Sequence, residues 1–146
     1  MKLNRLLILP LVSFSLMGCD LFEKKGDIND YVGEYILYTA NERTYHIYWS
    51  QKTLTNEKEL DIKVKSLTIN EDKTVNYVTK DGESGKGKIK CLEKYCRFYN
   101  IPSINSNHKF NLRYDHTLYY SHESSHMGVE YDVTYVNIEF KKVSKL

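Results

Sequence analysis

An antiparallel all-β fold of about eight strands is what three features of this chain predict. From Tyr31 onward, short runs rich in Tyr, Val, Ile and Thr recur, and these residues suit a pleated, half-buried surface. Polar or glycine-containing segments separate the runs, as in a meander and unlike a helical bundle. Of the 146 residues, 13% are aromatic and only two are proline and seven glycine, which excludes a disordered, collagen-like or low-complexity chain. The length allows one ordinary domain.

The first element is an address. Lys2 and Arg5 make a positive start, and Leu6 to Leu16 is an apolar run of export-signal length, too short to remain across a bilayer. The run ends in Leu16-Met17-Gly18-Cys19, which resembles the lipobox of bacterial lipoproteins. That resemblance implies that the Cys19 thiol receives a diacylglycerol, that cleavage falls between Gly18 and Cys19, and that residues 1–18 are removed. Each buried methylene contributes about 0.8 kcal/mol, so two or three acyl chains would hold the domain at a membrane almost permanently. The expected location is the bacterial cell envelope, facing the periplasm or the exterior. Loss of Lys2 and Arg5 from 21 basic residues would leave 19 against 19 acidic, a net charge of zero. No basic field then remains to attract nucleic acid.

Residues 19–30 are mostly polar and read as a tether with one helical turn near its end; residues 31–146 are the β domain. Strand candidates are Gly33 to Thr39, Thr44 to Trp49, Asp61 to Ile69, Thr74 to Lys80, Gly87 to Cys91, Cys96 to Asn100, Phe110 to Asp115, Leu118 to Ser121 and Val129 to Val143, some of which should merge or fail. Asn41-Glu42, Asn70 to Lys73, Asp81-Gly82 and Asp115-His116 supply turn residues. Thr53 to Lys65 competes as a short helix through Asn56-Glu57-Lys58-Glu59-Leu60. Cys91 and Cys96, the thiols left once Cys19 is acylated, are separated by four residues and suit a disulfide across a short hairpin. Closing so small a loop contributes only about 2 kcal/mol and pins register more than it supports the fold.

In the last run Val129, Tyr131, Val133 and Tyr135 alternate, and Val136, Ile138 and Phe140 then continue on the opposite parity. A bulge near Val136 would explain this, and a similar phase shift lies between Val64 and Leu67. Long, bent strands favour a closed barrel, with a sandwich as the alternative. Tyr31-Val32-Gly33-Glu34-Tyr35, the unit from Leu67 to Val75 and the closing Val136 to Val143 make the chain similar to the lipocalin-like domains of small bacterial lipoproteins. In that family the first strand carries Gly-x-Trp, where this chain has Tyr35 at the Trp position, and the usual Asp-Gly turn is absent. The resemblance implies a barrel that holds an apolar molecule or binds a protein at its mouth, with no reaction.

One motif points to chemistry. His122-Glu123-Ser124-Ser125-His126 is an H-E-x-x-H sequence, which on a helix sets two histidines one turn apart on zinc and leaves the glutamate to activate water. Here Ser124, Ser125 and Gly128 are poor helix formers and the flanks read as strands, so a polar hairpin loop is expected. A looser zinc or copper site on that loop, with His116, is the alternative. His46 reads as a half-exposed strand histidine, with Tyr45, Ile47 and Trp49 on the other face. Gly82 to Gly87 lacks the spacing of a phosphate loop. The function expected is a non-enzymatic, membrane-anchored binding module with no cofactor, taking a small apolar ligand or an envelope protein as an inhibitor or immunity protein does. A zinc-dependent hydrolase is the competing reading. A filled interior with an exposed aromatic patch would favour the protein partner, and a lined cavity the ligand.

Overall fold

A computed structural model describes residues 26–125 and 128–144, so Gly18, Cys19 and His126 lie outside the described residues. Nine strands are formed: β1 (Gly33–Tyr48), β2 (Gln51–Glu59), β3 (Val64–Ile69), β4 (Thr74–Thr79), β5 (Ser84–Cys91), β6 (Cys96–Tyr99), β7 (Asn111–Leu112), β8 (Thr117–Ser125) and β9 (Glu130–Lys142). All pair antiparallel in one sheet ordered β6-β5-β4-β3-β1-β9-β8-β7, with β2 on β1 outside that path. Cys96 and Phe110 exchange backbone hydrogen bonds of 2.7 and 2.8 Å beside β7, which brings the two ends of the path together. The result is a nearly closed antiparallel barrel of eight strands, and the sandwich alternative falls because one ladder runs around the core.

Inward positions of these strands fill the barrel. Tyr35, Leu67, Phe98, Phe110, Leu118 and Phe140 are all fully buried. The Phe110 ring lies 5.2 Å from Phe98, edge to face, and 6.2 Å from Phe140. Each such side chain contributes about 1.5–3 kcal/mol by leaving water, so the core rather than any polar contact carries the fold. Tyr35, the residue standing where the lipocalin-like pattern has Trp, donates its hydroxyl proton to the Tyr31 carbonyl at 2.8 Å. Burial, reinforced by Tyr31, pushes its phenol up to about 12. The helical turn expected just before Tyr31 is present as a 3-10 turn at Ile28–Asp30, capped by the Asp27 carboxylate, which accepts from the Asn29 amide at 2.9 Å.

Four expectations are corrected. Gly33 to Thr39 and Thr44 to Trp49 are one strand, with no turn at Asn41-Glu42, because β9 pairs with β1 along its whole length. Thr53 to Lys65 is not helical: its first part is β2, aligned on β1 through Asn41 to Tyr48. Helix propensity favours Glu, Lys and Leu by only a few tenths of a kcal/mol per residue, less than a nine-residue ladder supplies. The candidate strand Leu118 to Ser121 runs on to Ser125. No bulge interrupts β9, whose pairing with β8 and β1 is continuous around Val136; the extra residue lies opposite, at Tyr38 of β1. The other phase shift is a bulge as read, at Lys65.

The change of parity in β9 has a different cause. Beyond the barrel, β1, β2, β8 and β9 continue as a four-stranded arm ordered β2-β1-β9-β8. In the barrel the apolar side chains Ile138 and Phe140 face the core. In the arm the opposite face is the apolar one, so the apolar set changes sides without any insertion. At the 3.3 Å rise of a strand, the sixteen residues of β1 carry the arm tip about 50 Å along the chain from Gly33.

Candidate functional site

Register assigns the two faces of the arm. Tyr45, Ile47, Leu54, Tyr131, Val133 and Tyr135 share the outer face. Val133 is buried beneath its neighbours, whereas Leu54 is 47% exposed. Tyr45 and Tyr135 meet edge to face at 5.7 Å, and the Lys52 ammonium lies 4.1 Å and 4.4 Å from their ring centres. A cation over two aromatic faces is attracted by their quadrupoles, so the outer face recognises positive charge within its own structure.

The inner face, continuous with the barrel interior, is polar in the arm. Thr44 and Thr134 hydroxyls lie 3.1 Å apart, and Lys58 pairs with Glu42 at 2.9 Å. His46 is half-exposed, as the alternation of its strand predicts, and bridges β1 to β9: its Nδ1 is 2.9 Å from Asp132 and its Nε2 3.1 Å from Glu130. Its pKa is raised, chiefly by the hydrogen bond to Asp132 and with a contribution from Glu130. The carboxylates take opposite edges of the ring, which orients the imidazole and leaves neither nitrogen free for a metal.

The H-E-x-x-H segment is extended where it is described, since His122, Glu123, Ser124 and Ser125 all belong to β8. Alternation puts His122 on the inner face and Glu123 on the outer one, paired with Tyr135. The zinc-hydrolase arrangement needs this stretch in a helix, and where a hairpin loop was expected the chain is strand as far as Ser125. His116 sits in the turn at the other end of β8, about 20 Å from His122 along an extended chain, so the two do not meet at one metal. Of the expected set of His122, His126 and His116, His126 lies outside the described residues. His122 instead lies near His108, whose pKa is lowered by burial and then by His122. The His108 ring stacks on Tyr120 at 4.1 Å, and its Nδ1 is buried without a hydrogen-bond partner. Among the described residues no group of three or more His, Cys, Asp or Glu is arranged to hold a metal ion.

Cys91 and Cys96 form the expected disulfide, directly opposite each other in the β5–β6 hairpin with Cα atoms 4.1 Å apart. Near it, beside the 3-10 turn Ile28–Asp30, a surface cleft of about 510 Å³ is bordered by Asp27, Asp30, Tyr31, Glu93 and Arg113. Its walls are charged and open, unlike an apolar ligand cavity.

Large apolar side chains stand in water at the arm tip, as Tyr38 and Tyr114 do elsewhere on the surface. Trp49 is 71% exposed, Val129 62% and Tyr48 50%. Trp49 and Ser50 form the two-residue turn between β1 and β2, with φ of 46° and 66°. The turn lacks the Asn-Gly or Asp-Gly signature of such hairpins, so no local signal marks it in the sequence. His108 was also missed: nothing local in the sequence brings it beside residues 120 and 122. Fold and site together define a filled antiparallel barrel that projects a two-faced sheet arm. No protein-family model, curated protein or solved structure matches the chain.

Proposed function

We propose that the protein is a lipid-anchored envelope lipoprotein that acts, without catalysis, as a binding module for another protein. The supporting observation is the contrast between the packed interior around Phe98, Phe110 and Phe140 and the exposed aromatic residues of the arm. A carrier of small apolar molecules needs a lined cavity, and packed rings occupy the centre of this barrel. The extended His122 to Ser125 stretch counts against the zinc-hydrolase reading. Cys19 supplies the membrane attachment, twelve residues before Tyr31, the first buried residue of the core.

Two measurements test this. Cells fed labelled palmitate should label and sediment the wild-type chain with membranes, and Cys19→Ser should leave it unlabelled and unprocessed. Label in neither form would overturn the anchor. Titration with a fluorescent fatty acid should give no saturable binding, and one-to-one binding would restore the ligand carrier.

A further inference from the structure

The turn at the arm tip is built against its own stability. Trp49 and Ser50 both take positive φ, a backbone region that glycine and asparagine adopt readily and a bulky residue adopts at a cost. The same turn holds an indole in water, with the Tyr48 ring edge-on at 6.3 Å. Strain and apolar exposure coinciding on one residue are a mark of selection for contact, and tryptophan is the side chain most enriched where binding energy concentrates.

Charge narrows the occupant. Residues 41–59 and 121–136 contain six acidic side chains (Glu42, Glu57, Glu59, Glu123, Glu130 and Asp132) and three basic ones (Arg43, Lys52 and Lys58). With histidines neutral that is a net charge of −3, in a chain whose total is +2 with Lys2 and Arg5 and zero once they are removed, so on either count the arm is negative and the rest of the molecule positive. Two arms repel each other, and an anionic lipid surface repels the arm, whereas a positive protein surface is attracted. Pairing of Tyr48 with Glu130 and of His46 with Asp132 puts both carboxylates on the same face of the sheet as the Tyr48 ring, where each also contacts the His46 imidazole.

We infer that the arm tip docks a basic protein surface, with Trp49 as the anchor buried by the partner and Glu130 and Asp132 as its charged flank. This rests on the reading of the chain as a protein-binding module, and it is independent of the lipid. A tip about 50 Å along β1 from Gly33 also meets its partner clear of the membrane.

The test places photoreactive p-benzoylphenylalanine at position 49 of the full chain or, as a control, at the fully exposed Tyr114 between β7 and β8. Irradiation in cells that carry the protein should join position 49, and not position 114, to a strongly basic protein. With that protein purified, Trp49→Ala should weaken binding roughly thirty-fold or more, and Trp49→Tyr should retain most of the affinity. Glu130→Gln with Asp132→Asn should slow association and flatten its dependence on salt, with an unchanged circular dichroism spectrum showing that the arm persists. An adduct with a second copy, a phospholipid or an acidic protein, or no adduct at position 49, would overturn the inference. An adduct from position 114 alone would move the binding site while leaving a protein-binding module; no protein adduct from either position, together with saturable fatty-acid binding, would remove that reading as well.

Discussion

At the scale of single residues, two histidines set opposite pH dependences. His46 has a raised pKa, so its contacts with Asp132 and Glu130 contribute fully below the ordinary value of 6.5 and fade as pH rises through the folded-state value. His108 has a lowered pKa, so its contribution is fully present above 6.5 and is lost as pH falls towards its folded-state value. Titration followed by NMR should find His46 above and His108 below the unfolded reference, and Asp132→Asn should bring His46 down while leaving His108 unmoved. An unaltered His46 would show that the bridge does not persist in solution. Gly87 is a second residue whose identity has a local reason. A Cβ there would run into the carbonyl oxygens of Tyr99 and Asn100 and the Ile101 side chain, where the chain leaves β6. Gly87→Ala should therefore cost about 1–3 kcal/mol in urea denaturation; a neutral result would mean that the crossing is looser than it stands here.

At the scale of elements, the β1–β2 hairpin shows how pairing overrides local preference. Asn56 to Leu60 favours a helix, yet β2 is extended, every one of its side chains exposed, aligned by Arg43 on Glu57 at 2.7 Å and Lys58 on Glu42. These pairs are half in water and contribute little to stability; their value is in register. The same charges, with the bulge opposite Thr44 and Tyr45, keep the open edge of β2 from recruiting another strand. The turn is the costly part of this hairpin. Replacing Trp49-Ser50 by Asn-Gly should stabilise the chain by about 1–2 kcal/mol through relief of the positive φ angles, raising the melting temperature by several degrees. A lower melting temperature would mean that the indole supports the arm instead of standing free of it.

At the scale of the whole molecule, a packed barrel and an arm divide the work of stability and contact. The Cys91–Cys96 disulfide closes a loop of sequence separation 5 at the edge of a core that is already filled, so reduction should lower stability by about 2 kcal/mol or less and leave the circular dichroism spectrum unchanged. Unfolding on reduction would show that the bridge, and not the phenylalanine cluster, holds β5 and β6 in place. Much of this architecture was legible in the linear chain. Alternating Val, Ile, Tyr and Thr determine strands because side chains change sides at every residue, and the cysteine spacing determines a bridged hairpin. Tertiary structure alone decided which candidates merge, because Asn41 and Glu42 are turn formers until β9 lies beside them. It also decided which face of β9 counts as apolar: Val133 and Ile138 have opposite parity, and only the change from a barrel wall to a free sheet explains how both are buried. The placement of His116, His108 and His122 was likewise beyond reach of the sequence, since spacing along a chain fixes distance only within one element, and these histidines are brought together or held apart by strands that pair across the fold.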